Sequence, residues 1–529
     1  MVHRKTVVLI LGLAIASTTA CKKRAVTTYH YDNLRTGWNQ EEERLTPANV
    51  GTPKFGLLHS VVLDDQVDTQ PIIVVDEKIT SGAHQGKHDV VYVATEGNTI
   101  YAIDASSGLV LLSPNFGPPV PMPLGCTNNG PNVGIDGTPV IDLESNTMYV
   151  IVYTLEASGP IYKIHALDLG NLQDKIAPVV VSASHKLTNG ATFNFDARYQ
   201  RQRPALLESH GNIYAGFGSF CDFQPNVSRG WVLGWQTGSL TPLAANQLND
   251  LQATSPDTYF LSSIWMSGYG LSSDADGNLY FVTGNSDSNA SGTTYDGVTN
   301  IQESVVKISS DLTKLLDVFT PFDVQNLDRA DNDYGSGGAL LLALQPGPKP
   351  RLAAAAGKNG NMYLLDRDHL GGFTPGGPDK VVGIVNIGGC WCGQSYFSDG
   401  TGHIVSSGGS QVKVWKVETS PSVTLVNEAA SPAFGNGQDP GFFTSVSSDH
   451  SKSGIIWAVS RPENSSPANM SLLAFSAKPP GGSSTLTKLF EGTAGTWPNT
   501  GGNANSVPVV ANGKVYVASN KQLTIFGLN

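Results

Sequence analysis

The chain has 529 residues, with 58 glycines and 31 prolines against only 15% charged residues, a strand-and-turn composition poor in helix formers. Its formal net charge of -11 argues against a nucleic-acid partner, whose phosphates are held mainly by lysine and arginine.

The N-terminus reads as an export signal covering residues 1–21. His3-Arg4-Lys5 forms a positive region, and Val7 to Ala16 is an apolar run too short to span a bilayer as a mature helix. Thr18-Thr19-Ala20-Cys21 resembles a bacterial lipoprotein cleavage site, with Thr18 where leucine is usual. The expectation is lipidation at Cys21; cleavage without lipid, giving a periplasmic or secreted product, is the alternative. No later segment approaches 18 unbroken apolar residues, so a membrane is reached only through a lipid anchor.

Residues 22–54 are a polar, irregular extension, expected to wrap an edge of the fold. From residue 55 onward a three-strand phrase recurs. The first copy is Gln70-Pro71-Ile72-Ile73, then Val91-Tyr92-Val93-Ala94, then Ile100-Tyr101-Ala102-Ile103-Asp104. Later copies centre on Tyr149, Tyr214, Tyr280, Tyr363, a fainter sixth around His403-Ile404-Val405, Trp457 and Tyr516. Each copy alternates apolar and polar residues, and pairs such as Asp276-Gly277 and Asn512-Gly513 suit tight hairpin turns. A repeat of this kind, near 50 residues long, cannot bury its own apolar face and must stack on its neighbours. The expected fold is all-β, an eight-bladed propeller of four-stranded antiparallel blades over residues 55–529. The strand Phe55 to Leu63 closes the ring by joining the last blade, which removes free sheet edges.

Gly-, Asn-, Asp- and Ser-rich inserts at 113–137, 218–230, 241–268, 285–302 and 318–336 are where function is expected, as loops on a rigid frame. Setting Cys21 aside, four cysteines allow three pairings. Cys126–Cys221 with Cys390–Cys392 is preferred, because Cys126 and Cys221 both fall in loops between early blades. Cys390-Trp391-Cys392 is too close-set for an ordinary zinc clamp and lacks a second pair. His84 and His88 share one loop and could hold a metal, although surface-loop histidines usually do not. No phosphate loop, nucleophile elbow or His-Glu-x-x-His motif is present.

Stretches such as VVYVATEGNTIYAIDASSG, RQRPALL, RGWVLGW, IWMSGYG, GSGGALLL, AAGKNGNMYLLDRD and NGKVYVASNKQLTIFGLN carry a resemblance to the quinoprotein alcohol dehydrogenase propellers, and more closely to exported bacterial propellers known by their pyrroloquinoline-quinone-type repeats. The resemblance implies an axial site. Trp265 stands where that family has its floor tryptophan, and Asn285 where it has a calcium-binding Asn. Asp333 (or Asp331) falls near the catalytic base, and Lys358 matches the cation on the quinone oxygens. Each residue also has a plainer role: core packing for Trp265, a turn for Asn285, a solvated loop charge for Asp333 and a hairpin charge for Lys358.

Two parts depart from the family. Cys126-Thr127-Asn128-Asn129 offers no adjacent cysteine pair for the roof, and Asp222 alone could replace the calcium-binding Glu. No Cys-x-x-Cys-His haem site occurs. The leading expectation is therefore an exported, monomeric binding or scaffold propeller with a degenerate site and no required cofactor, meeting a protein or glycan at the cell envelope. The alternative is a pyrroloquinoline quinone- and calcium-dependent alcohol or sugar dehydrogenase, which requires Trp265, Asn285, Asp333 and Lys358 to converge on one axial pocket.

Overall fold

A computed structural model of the chain describes residues 23–529 except 129, 187–189, 191, 225–226, 244–261, 287–294, 296, 298–299, 436, 463–466 and 500–503. The expected signal peptide, with Cys21, lies outside the described residues. So does most of the inserts at 241–268 and 285–302.

The strands form eight antiparallel blades in a closed ring. Blade 1 pairs Ile72–Ile79, Gly86–Ala94, Ile100–Asp104 and Val110–Leu112 in chain order. Blade 2 begins at Val140–Asp142. In blade 3 the first position is shared by Gln200–Gln202 and Leu207–Ser209, both paired to Asn212–Ser219. Blades 4 to 7 begin at Ser272–Ser273, Ala339–Leu341, Ser395–Ser398 and Phe443–Asp449. The faint sixth repeat is a full four-stranded blade. Blade 8 runs through Val509–Ala511, Lys514–Ser519 and Gln522–Leu528, and Phe55–Val62 completes it, Phe55 lying opposite Leu528 and Val62 opposite Gln522.

Alternation along the strands is what closes the ring. On Gly86–Ala94, Tyr92 and Ala94 pack with Met148 and Val150 of blade 2, whereas Val91 and Val93 pack with Tyr516 and Ile525 of blade 8. Seven such apolar clusters run round the molecule, each holding neighbouring blades together. A fully buried Val, Ile or Leu side chain contributes about 1.5–3 kcal/mol, so the repeat is stable only as a stack.

The N-terminal extension does not wrap an edge. Residues 26–39 run along the inside of the ring and touch the first strand of every blade, or the residue leading into it. Val26 pairs with Ile73, Thr27 accepts from the Ile141 N–H, and Arg35 donates to the Leu206 and Leu271 carbonyls. Leu34, Thr36 and Gly37 accept from the N–H groups of Leu341, Tyr396 and Val446, and the Tyr31 hydroxyl accepts from that of Val510. Fourteen residues reach eight blades only if the first strands line the axis. The reason is hydrogen-bond accounting: each first strand has one unpaired edge facing the channel, and a buried unpaired N–H or C=O is costly. Gly37 takes φ +65°, and a Cβ there would sit 2.7 Å from Ser395 Oγ, so the passage past blade 6 needs glycine.

Candidate active site

The loops that lead into the first strands of blades 3 to 6, with the turns at 219–222 and 357–358, enclose an axial cavity of about 100 Å³. Asp222, Trp265, Asp333 and Lys358 all line it. Asn285 joins them through its Nδ2, which donates to Asp222 Oδ2 at 3.4 Å. The residues singled out in sequence thus share one place.

Glycines let them meet. The Trp265 indole lies against Gly218 and Gly284, and a Cβ on either would collide with the ring; Trp265 Nε1 donates to Ser219 Oγ at 3.4 Å. A Cβ on Gly357 would come within 2.6 Å of Tyr334 Cα and 2.7 Å of the Asp333 carbonyl, so the Lys358 turn packs directly on the Asp333 loop. The Lys358 N–H then donates to the Asp333 carbonyl at 3.0 Å. Lys358 Nζ reaches Asp333 Oδ2 at 2.6 Å and Asp331 Oδ2 at 3.0 Å. Both Asp333 and Asp331 were candidates for the base; Asp333 is the buried one, its side chain 4% exposed against 71% for Asp331.

Burial, reinforced by Asp331 and Asp222, pushes the Asp333 carboxyl up to about 7 despite the Lys358 ammonium beside it. Burial opposes the charge on Lys358, but Asp333 and Asp331 outweigh it and hold its pKa above the usual lysine range. Asp222 is likewise raised by burial, with hydrogen bonds from Ser219 and Asn285 working the other way. Asn285 Oδ1 and Asp333 Oδ1 are shielded from solvent and have no hydrogen-bond partner among the described residues.

The solved structures similar to this chain have the same ring. Quinohemoprotein alcohol dehydrogenases from Pseudomonas putida HK5 and Comamonas testosteroni each superpose with a TM-score of 0.62 at 14% identity. The first covers 95% of this chain and 80% of its own, the second 97% and 81%. A europium-containing methanol dehydrogenase gives 0.60 at 14% identity, covering 95% of this chain and 98% of its own. The fold is that of the quinoprotein alcohol dehydrogenase propellers. No protein-family model matches the chain, and no curated protein does.

Within this quinoprotein-type ring, four neighbours of the site escaped sequence reasoning. The two disulfides are those preferred from the sequence, Cys126–Cys221 and Cys390–Cys392. Cys221 lines the cavity, so a disulfide borders it without any adjacent cysteine pair. The Cys390–Cys392 loop presents Trp391, whose ring lies 4.9 Å from Lys358 Nζ. Arg201 and Arg203 line the same cavity from the RQRPALL stretch, to which sequence reasoning gave no site role. Glu303, fully buried in a left-handed conformation (φ 50°), accepts from the Tyr334 N–H at 2.5 Å and so braces the residue after Asp333. Two arginines two residues apart, Arg201 and Arg203, directly ahead of an apolar strand were the signal that could have marked this wall.

The His84–His88 pair does not form a metal site: His88 Nδ1 meets Asp104 Oδ2 at 2.8 Å and its Nε2 meets the His84 carbonyl at 3.1 Å, so both ring nitrogens are engaged.

The donor set fits calcium. Asp222 and Asn285 offer oxygen ligands, and Asn285 Oδ1 lacks a partner among the described residues. Trp265 offers a flat face, and Lys358 with Arg203 offers cations for an anionic quinone. The fit is tight, because cofactor pockets usually span about 300–1,000 Å³; a tricyclic ring enters a cavity of about 100 Å³ only if bordering side chains such as Trp391 rotate away.

Proposed function

We propose that the axial pocket is the active site of a calcium- and pyrroloquinoline quinone-dependent dehydrogenase acting on an alcohol or sugar. What supports this reading is the convergence of Trp265, Asp222, Asp333 and Lys358 on one cavity, with Asn285 hydrogen-bonded to Asp222 at its edge. Buried charges cost several kcal/mol each unless paired, and removing one partner of a buried pair typically costs about 3–5 kcal/mol. A ring that needed only rigidity would be better served by apolar packing at these positions. Clusters of shifted pKa in a cleft mark working sites.

In this mechanism Asp333 takes the substrate hydroxyl proton; a carboxyl near pKa 7 is matched to a base at neutral pH. Lys358 fixes that carboxylate at Oδ2 and leaves Oδ1 open. Asp222 and Asn285 hold the cation, and Trp265 supplies the stacking floor. When bound, the quinone supplies a two-electron acceptor and calcium a Lewis acid. Export, with a lipid on Cys21, would place the enzyme at the cell envelope; labelled palmitate incorporated by the full chain and lost in Cys21→Ser tests that.

A second reading, an exported binding or scaffold propeller that meets a protein or glycan, draws on the tight cavity and the missing adjacent cysteine pair. Calorimetric titration of the mature chain with pyrroloquinoline quinone, with and without calcium, separates the two. Tight, calcium-dependent binding that Asn285→Ala abolishes supports the dehydrogenase. No heat and no thermal shift at saturating quinone moves the function to the second reading.

A further inference from the structure

Among the cavity's cations, Arg203 differs from the others. Lys358 is paired with Asp333 and Asp331, and Arg201 Nε donates to Asp136 Oδ2 at 2.7 Å. Arg203 makes no hydrogen bond and no ion pair with any described residue, yet its side chain faces the cavity. Its surroundings do not cancel its charge. Burial, and then Arg201 beside it, pushes the guanidinium down to about 10, while Asp136, Asp68 and Glu96 act on it from beyond ion-pair distance. Those acids also face one another. Burial and mutual repulsion push Asp68 up to about 7 and Glu96 well above the usual carboxylate range, and Asp136 is already paired with Arg201, so none of the three is committed to Arg203. Arg201 Nη2 is also shielded from solvent without a partner. A half-buried guanidinium that faces a cavity with its donors unused by the protein is what a carboxylate satisfies, through two parallel N–H···O bonds.

We propose that Arg203, backed by Arg201, is a carboxylate-binding site in the wall of the axial pocket, filled by an anionic small molecule such as a hydroxy acid or sugar acid. The cavity of about 100 Å³ suits a small acid. Asp333 and Lys358 line the same space, so an acid held at Arg203 brings its hydroxyl groups toward the base. The site stands whether or not a quinone binds. Because the quinone is itself a tricarboxylate, it is the other possible source of the carboxylate.

The test titrates the full mature chain with matched acids and neutral relatives, D-glucuronate against D-glucose and lactate against 1,2-propanediol, and separately with pyrroloquinoline quinone. The expected result is binding of the acids at least tenfold tighter than of their neutral relatives, lost in Arg203→Gln and partly kept in Arg203→Lys. The lysine variant retains the charge and serves if the glutamine variant does not fold, which thermal unfolding reports. If only the quinone binds, and Arg203→Gln weakens it tenfold, the carboxylate site holds and the cofactor fills it. If the acids bind and the quinone does not, the site holds while the quinone reading falls. Equal affinity for acids and neutral relatives with no quinone binding, or wild-type affinity for every acid and the quinone in both Arg203 variants, overturns the proposal.

Discussion

Two arginines, both on the axis of the ring, are treated in opposite ways. Arg35, in the segment that threads the channel, is fully buried, whereas Arg203 in the pocket is half-buried; both are pushed down to about 10. Yet Arg35 engages every nitrogen: Nε donates to the Leu271 carbonyl at 2.8 Å, Nη1 to Thr28 Oγ1 and the Tyr29 carbonyl, and Nη2 to the Leu206 carbonyl at 3.1 Å. It ties the segment to blades 3 and 4. Arg203 spends none of its donors on described residues. The difference separates a charge kept as a structural tie from a charge held ready for a ligand, and it locates the working end of the axis without reference to any relative. The groups left without partners in the threading segment, Tyr29 Oη and His30 Nε2, are neutral; those in the pocket include a carboxylate oxygen.

The largest effect should come from removing the tie. Arg35→Met strands the Leu206 and Leu271 carbonyls, which lead into strands of blades 3 and 4, and hydrogen bonds to a charged group contribute about 1.5–3 kcal/mol each. A loss of about 3–5 kcal/mol is expected, read as a lower midpoint in urea unfolding. A loss under about 1 kcal/mol would show that the segment is dispensable and would dissolve the comparison.

Acid should sharpen it. His30 stacks on Tyr29, its Nδ1 lies 3.3 Å from the Arg35 carbonyl, and burial pushes its pKa down to about 3. A lowered folded-state pKa contributes stability above the unfolded value near 6.5, and that stability is lost as pH falls toward about 3. Asp68, beside the pocket arginines, has the opposite sign: its raised pKa of about 7 means stability is lost as pH rises from about 4 to about 7. His30→Gln should therefore flatten the acid limb of the stability profile, by up to about 1.4 kcal/mol per pH unit below pH 6, and leave the neutral limb unchanged. An acid limb identical to wild type would mean that His30 is not held neutral by burial.

The ring itself was readable because its information is periodic. Val91-Tyr92-Val93-Ala94 states by alternation which residue faces which neighbouring blade, and eight repetitions leave little freedom. The threading segment was not readable, because its partners are backbone edges scattered from Ile73 to Val510 and backbone edges leave no pattern in side chains. Trp265, Asn285, Asp333 and Lys358 were reached through motifs, and the structure brings them together. Arg203, Trp391 and Glu303 were not. Each acts by where it lies relative to distant loops, and locally they read as a strand opening, a disulfide loop and a charged residue beside a strand.

The smallest expected effect is the most discriminating. Arg203→Gln removes a half-buried guanidinium that has no partner to abandon, so the ordinary penalty for breaking a buried pair does not arise. Glutamine keeps much of the stem and can meet water in the cavity. The folded state should change by less than about 1 kcal/mol, because an unpaired, partly exposed charge contributes little to stability when removed. Set beside Arg35→Met, the same residue type on the same axis should then give a loss of several kcal/mol at one end and almost nothing at the other, by thermal or urea unfolding in the absence of any acid. A loss at Arg203 as large as that at Arg35 would mean that its donors are already spent inside the protein, and the pocket would lose its claim to an anionic ligand.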